Sequence, residues 1–310
     1  LQARRRFSQN FWRDVGLKKV MKSLAQLIQQ PGLITAPGVY DMVSLRLADT
    51  FGFDALYMTG FGTVASHLGL PDAGLATYSD MVNRVTAMAS MAKTPLIADG
   101  DTGYGGLLNM QHTVRGYERA GAVAIQIEDQ EFPKKCGHTL GRRVIPMNDM
   151  VQKIKVAVDA RQSNDFLIIA RTDARTSLGL DEAVRRADAY ANAGADILFV
   201  ESPESIDEMT QITKHLKHPL VANMVEKGRT PVLSQQELLD IGYKIAIFPV
   251  TALLASVQAM SEVYTTFKAQ GSSKNAKTPL YDFTALTHLM GFEDVWSFDQ
   301  KYGDNSDIPK

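Results

Sequence analysis

The chain is nearly devoid of cysteine: Cys136 is the only thiol in 310 residues. One thiol cannot close a disulfide within the chain and cannot build a cysteine-held zinc cluster, so small disulfide scaffolds and zinc modules are excluded. Charge of one sign is lacking as well, with 33 Lys+Arg against 34 Asp+Glu and a formal net charge of −1. A protein whose main partner is a phosphate backbone carries a basic excess, so nucleic acid is not an expected partner. No stretch approaches the roughly 18 consecutive apolar residues of a membrane span. The longest apolar runs, at 245–250 and 197–200, have the length of buried strands. The expectation is a soluble, cytoplasmic protein with no membrane partner, a mitochondrial address being the alternative. Residues 1–13 hold no acidic side chain and include Arg4-Arg5-Arg6. That composition suits a solvated basic arm or the remnant of an organelle-targeting peptide.

What is present is a repeated join between helix and strand. Four times a helical stretch reaches a glycine and an apolar strand follows: Gly52-Phe53-Asp54-Ala55, Gly121-Ala122-Val123-Ala124, Gly194-Ala195-Asp196-Ile197 and Gly242-Tyr243-Lys244-Ile245. Glycine takes the left-handed conformation that closes a helix, and an all-apolar run reads as a parallel strand buried on both faces. With similar runs at 33–36, 96–98, 167–170 and 220–222, added to 55–58, 124–127, 197–200 and 245–248, the pattern predicts eight strands. Helical periodicity fills the intervals, for example at 81–92, 109–120, 148–161, 181–193 and 235–241. Eight alternating units over about 240 residues fit a (β/α)8 TIM barrel better than an open sheet. The expected organisation is an N-terminal arm and helix at 1–30, the barrel at 31–269, and a linker and C-terminal helical segment at 270–310. The helix at 251–269 and the polar break at 270–279 precede Leu280, Phe283, Leu286, Leu289 and Met290, which recur at helical spacing. Such a face packs either on its own barrel or on a partner subunit, and the second is favoured.

Polar residues follow nearly every proposed strand: Tyr40 and Asp41, Thr59, Asp99 and Asp101, Glu128 and Asp129, Arg171 and Asp173, Glu201, Asn223, and Thr251. Taken singly, each is more often a cap or turn residue. A barrel enzyme, however, collects its chemistry from strand C-termini, and repeated carboxylates with an arginine fit that pattern. In Asp99-Gly100-Asp101-Thr102-Gly103-Tyr104-Gly105-Gly106 two carboxylates flank one glycine at a strand end, and Glu128 follows the next strand. Few carboxylates plus waters are what Mg2+ prefers, whereas capped turns with solvated acids are the plainer explanation. The G-x-G-x-x-G spacing of dinucleotide sites is absent. Cys136 stands in Lys134-Lys135-Cys136-Gly137-His138, where lysines and histidine would favour the thiolate if their side chains approach it. An inert buried thiol is the alternative to an acid/base one.

Lys134-Lys135-Cys136-Gly137-His138, with Asp99-Gly100-Asp101-Thr102-Gly103-Tyr104-Gly105, Ile127-Glu128-Asp129-Gln130, Ala170-Arg171-Thr172-Asp173-Ala174 and Ala222-Asn223-Met224, resembles the isocitrate lyase / phosphoenolpyruvate mutase superfamily from about Pro31 to Tyr264. The resemblance implies a Mg2+-dependent barrel, with Mn2+ as the alternative ion, that cleaves a C–C bond in a small hydroxy di- or tricarboxylate. It implies Asp99, Asp101 and Glu128 as metal residues, directly or through water, with Asp72 a further acid nearby. Tyr57, Thr59 and Gly60 match a carboxylate-binding loop, Arg171 a grip on the α-keto acid portion, and Glu201 and Asn223 the distal pocket. His138 would steady developing negative charge, and Cys136 would protonate the enolate. Lys134, Gly137, Pro249 and Thr251 complete the implied substrate-binding set.

Within the superfamily the cysteine loop argues for a lyase over a P–C mutase, and the short chain points to the branch of 2-methylisocitrate lyase, 2,3-dimethylmalate lyase and oxaloacetate hydrolase. Pro249, where aligned hydrolases carry serine, tilts away from hydrolysis. Phe199-Val200-Glu201-Ser202-Pro203 and Thr139-Leu140-Gly141-Arg142-Arg143 depart from the commonest forms on the substrate side. A carboxyphosphonoenolpyruvate mutase-like phosphonomutase and a non-catalytic barrel are the remaining alternatives. The implied assembly is a homotetramer, a dimer of helix-swapped dimers, with the helix after Pro279 as the exchanged piece.

Overall fold

Gly121 and Gly242 close their helices at φ 99° and 109°, and Gly52 and Gly194 are left-handed too, at 73° and 105°. The joins read from the sequence are therefore real chain reversals. The computed structural model describes residues 23–303 apart from Leu140, so the basic run at 4–6 lies outside the described residues.

Eight strands alternate with helices. They are β1 (Ile34–Val39), β2 (Leu56–Met58), β3 (Leu96–Asp99), β4 (Ala124–Glu128), β5 (Leu167–Thr172), β6 (Ile197–Val200), β7 (Val221–Asn223) and β8 (Ile245–Phe248). Every pairing is parallel, in the order β6-β5-β4-β3-β2-β1-β8-β7. A parallel bridge between Leu198 and Leu220, with Leu198 N–H donating to Pro219 C=O at 2.9 Å, joins the two ends of that order. The sheet is a (β/α)8 TIM barrel, as the periodicity predicts.

The helices are α1 (Leu24–Leu27), α2 (Met42–Ala48), α3 (Gly60–Leu68), α4 (Tyr78–Met91), α5 (Leu107–Ala120), α6 (Met147–Ala160), α7 (Ala174–Leu178), α8 (Leu180–Asn192), α9 (Ile206–His215), α10 (Gln235–Ile241), α11 (Thr251–Gln270), α12 (Phe283–Met290) and α13 (Phe292–Tyr302). Alternation along the strands divides the core into two. Ile34, Ile97, Leu167, Ile169, Ile197, Val221 and Ile245 form one cluster, which Leu24 of α1 joins. The other cluster combines alternate strand residues such as Leu56, Ile125, Ile168 and Leu198 with Met81, Val85, Met110, Val114 and Ile154 of the surrounding helices. Burying each such side chain contributes roughly 1.5–3 kcal/mol, which fixes the strands and with them the polar residues at their ends.

One element breaks this economy. Helix α11 runs for 20 residues without a single buried one. Leu254, Val257, Met260, Tyr264 and Phe267 are all exposed along it. Further on, Arg46 Nε of α2 donates to Leu289 C=O at 2.7 Å, so α12 touches its own barrel, while Phe283, Phe292 and Phe298 remain exposed.

Candidate active site

The strand C-termini open into a cleft of roughly 200 Å³, lined among others by Tyr57, Thr59, Asp72, Asp99, Glu128, Lys134, Cys136, Gly137, His138, Arg171, Glu201, Asn223 and Pro249. Arg171, on β5, is the centre of its floor. Its Nε and Nη2 donate to Asp173 Oδ2 and Oδ1, both at 2.9 Å, while Nη1 lies 3.3 Å from Glu128 Oε2 and Nη2 3.2 Å from Glu201 Oε2. Its guanidinium lies 5.2 Å from the Phe199 ring centroid. The planar fork is thereby held in one orientation, as recognition of a carboxylate requires.

On the side of the cleft where the resemblance implies a metal, Asp99 Oδ1 accepts the Asp101 N–H at 3.0 Å and Oδ2 accepts the Gly60 N–H at 3.2 Å. A Cβ on Gly60 would meet Asp99 Oδ2 at 2.5 Å, so only glycine allows this approach. Lys134 Nζ bridges Asp72 and Asp101, 2.5 Å from Oδ1 of each. Burial pushes the Asp101 carboxyl up to about 6 even with Lys134 opposing it, and burial likewise raises Glu128 well above the usual carboxylate range against the pull of Arg171. Glu128 Oε1 is buried without a hydrogen-bond partner. A buried, unpartnered carboxylate oxygen in the cleft that Asp99 also lines calls for a proton or a cation. The donor set, all oxygen, suits a hard divalent ion, and Asp99 and Glu128 would hold it, with Asp101 behind them. Among the described residues, no three His, Cys, Asp or Glu side chains form a metal cage by themselves. Mg2+ commonly keeps several waters and few carboxylates.

The segment between β4 and α6 carries the thiol. The lysines expected to favour the thiolate do not reach it: Lys134 is engaged by the two aspartates, and Lys135 Nζ donates to Gly141 C=O at 3.2 Å. Burial instead pushes the Cys136 thiol up to about 11, so it is protonated at neutral pH. That corrects the reactive-thiolate expectation and suits a proton donor. His138 is held below the ordinary imidazole range by burial, which outweighs Glu201. Its Nδ1 accepts the Arg229 N–H at 3.1 Å, and its Nε2 lies 3.3 Å from Asn223 Nδ2 and 3.5 Å from Glu201 Oε1. Asn223 Nδ2 donates to Glu201 Oε2 at 3.1 Å, leaving its buried Oδ1 without a partner.

Tyr57 is a neutral phenol, raised by burial and by Asp99, and donates to Gln126 Oε1 at 2.7 Å. Thr59 caps α3, accepting the Gly62 N–H. Thr251 is not among the lining residues; its hydroxyl donates to Glu226 Oε1 at 2.6 Å, and Glu226 lines the cleft in its place. Sequence reasoning also missed Phe61, Val225, Ile247, Val250 and Leu254, which form an apolar wall with Pro249. Ser202 was passed over as well, although it stands at φ 59° and its hydroxyl lies 2.9 Å from Gly137 C=O and 3.1 Å from Glu201 Oε1. A non-glycine residue with positive φ just past a strand end marks local strain, as it also does at Asp101 (φ 50°) after β3, and it is visible only in the backbone.

The phosphoenolpyruvate phosphomutase family profile matches residues 24–268. The chain belongs to the phosphoenolpyruvate mutase/isocitrate lyase superfamily. It is 44% identical to 2,3-dimethylmalate lyase of Eubacterium barkeri, over 90% of this chain and 96% of the relative. Identity to 2-methylisocitrate lyase of Aeropyrum pernix is also 44%, over 87% of each chain. The solved oxaloacetate acetylhydrolase in complex with 3,3-difluorooxalacetate superposes with a TM-score of 0.87 at 35% identity, covering 93% of this chain and 98% of that one. The protein is thus an enzyme among the carbon–carbon lyases of its superfamily.

Proposed function

We propose that this enzyme cleaves the C2–C3 bond of a small 2-hydroxy di- or tricarboxylate, of the 2,3-dimethylmalate or 2-methylisocitrate type, into an α-keto acid and a carboxylate. The observation that carries this reading is a half-buried thiol, Cys136, kept protonated by its desolvated surroundings and lining the same cleft as Arg171, Asp99 and Glu128. Arg171 takes the carboxylate of the future keto acid in its fork. Asp99 and Glu128 would hold Mg2+, which when bound supplies positive charge to the developing keto-acid oxygens. Loss of the hydroxyl proton to the carboxylate-rich floor lets the C2–C3 pair depart with the second carboxylate. Cys136 Sγ–H then delivers its proton to that carbon; a carboxylate enolate is far more basic than a thiolate, so a thiol near 11 is acid enough. The hydroxyl proton leaving and the carbon proton arriving balance, so turnover is proton-neutral once the thiol is restored. Asn223 and His138 steady the departing carboxylate.

The apolar wall of Phe61, Val225, Ile247, Pro249, Val250 and Leu254 supports an alkyl-substituted substrate. The likeness to oxaloacetate acetylhydrolase supports oxaloacetate hydrolysis as the second reading. A panel of 2,3-dimethylmalate, 2-methylisocitrate, isocitrate and oxaloacetate with Mg2+, read by keto-acid release and oxalate formation, tests both. Turnover of an alkylated hydroxy acid is expected; none on any hydroxy acid overturns the lyase assignment. The exposed apolar stripe of α11 supports self-association into the dimer of helix-swapped dimers that the resemblance implies.

A further inference from the structure

We propose that Arg142 is a positioning residue that couples the seating of the Cys136 segment to the orientation of Arg171, through the Asp173 carboxylate that both arginines share. The proposal rests on the roles given above to Cys136 and Arg171, but its test reads the thiol directly and needs no turnover.

The segment after β4 is closed at its base by an antiparallel bridge between Gln130 and Val144 and by Glu131 N–H donating to Arg143 C=O at 2.9 Å. The Gln130 amide clasps the peptide next to the thiol, donating to Lys135 C=O at 2.8 Å and accepting Lys135 N–H at 2.9 Å. Two arginines follow in sequence and diverge. Arg143 is 77% exposed and pairs with Glu131 on the surface, an arrangement worth little. The Arg142 side chain is fully buried, with Nη1 2.6 Å from Asp173 Oδ1 and Nη2 2.5 Å from Thr176 Oγ1. A buried guanidinium is tolerated only when paired, so Asp173 determines where Arg142 can sit.

Asp173 is itself braced. Its N–H donates to Asp129 Oδ1 at 2.9 Å, and Asp129 is held by Thr172, Tyr190 and Arg186. Its Oδ1 receives Arg142 Nη1 and Arg171 Nη2 together, while Oδ2 receives Arg171 Nε alone. Burial works to raise the Asp173 carboxyl, but Arg171 and Arg142 overcome it and hold it below the usual range. One oxygen therefore divides its charge between an arginine that anchors the thiol segment and an arginine that faces the cleft. A carboxylate bound at Arg171 draws on that guanidinium and leaves Asp173 Oδ1 more available to Arg142. Anion binding and segment seating then favour one another, which is a coupling free energy between two sites.

Cys136, as the only cysteine, reports on the segment through its rate of alkylation by iodoacetamide. In the intact 310-residue chain with Mg2+, oxalate is expected to slow alkylation at least about tenfold. In Arg142→Met the ligand-free rate is expected to rise about tenfold and oxalate protection to shrink to within about twofold. Arg142→Lys should recover part of the protection, because an ammonium keeps the charge at Asp173 but not the fork. Arg143→Met, the neighbouring control, should match the parent. A folded Arg142→Met with parental alkylation and parental protection overturns the proposal, as does the absence of oxalate protection in the parent. If Arg142→Met does not fold, Thr176→Val removes one of the two bonds and keeps the charge. Unchanged alkylation and protection in that variant overturn the proposal equally. Normal coupling in a protein that turns over no hydroxy acid would count against the lyase reading alone.

Discussion

Gly137 packs so closely against Arg171 that a Cβ added to it would overlap the guanidinium, and the same atom would come within 2.7 Å of Glu201 Oε2. The glycine beside the thiol is thus a spacer for the floor of the cleft. Gly137→Ala must displace either Arg171 or the Cys136 segment. A misplacement of this size costs about 100-fold in rate. We expect kcat/KM to fall by that factor on the best substrate of the panel, with Tm shifted by only a few degrees, since the site rather than the core is disturbed. Steady-state kinetics beside a thermal melt check it, and parental kinetics would remove the steric argument.

Cys136→Ser keeps the volume but replaces the acid with a much weaker one. Turnover should fall about 10²–10⁴-fold, while oxalate and Mg2+ binding by calorimetry stay as in the parent. The pH dependence follows from the thiol being raised to about 11 by burial. The donor is protonated below that value and lost above it, so Cys136 contributes no alkaline limb to kcat between about pH 7 and about pH 9. A thiolate base would give the opposite, a rate climbing with pH through that range. A kcat–pH profile on the parent protein separates the two.

How much of this was legible beforehand depends on what kind of signal each residue leaves. Ile197–Val200 and Ile245–Phe248 coincide with the runs read from the sequence, because buried parallel strands are apolar throughout and bounded by glycine. Asp99, Glu128, Arg171, Glu201 and Asn223 were legible for the same reason: each is the polar end of an apolar run or the residue beside it. Gln130 and Arg142 form no such pattern. Their importance lies in partners 31 or 5 positions away, and only folding brings those together. The direction of Lys134 was equally hidden, since adjacency in sequence suggested the thiol while the charge balance of the pocket placed it between two aspartates.

Glu128→Gln removes one charge from a site in which the ionised carboxylate is disfavoured by burial. Mg2+ affinity should fall at least about 10-fold and turnover with it. The stability of the metal-free protein should hold or rise, because a neutral amide of the same shape escapes the cost of burying charge. Mg2+ should raise the parent's Tm by mass action and do so far less for the variant. Melts with Mg2+ and with a chelator check both halves, and a metal-free variant much less stable than the parent would contradict the burial argument.

The stripe of Leu254, Val257, Met260, Tyr264 and Phe267 repeats at three- and four-residue spacing on a helix with no buried residue among the described residues. We expect a face of that kind to be covered in solution by another apolar surface. Val257→Asp with Met260→Glu places two charges there without touching the barrel core. Light scattering should show the smaller species at micromolar protein, with association weakened at least about 100-fold, since burying an unpaired charge costs several kcal/mol. Leu254 belongs both to this stripe and to the lining of the cleft, so an interface on α11 would adjoin the candidate site. The dissociated variant should therefore show a raised KM for alkylated substrates with less change for oxalate binding, which the proposed function assigns to Arg171. A fully dissociated variant with parental KM would separate the two surfaces, and an unchanged oligomeric state would show that α11 is not the interface.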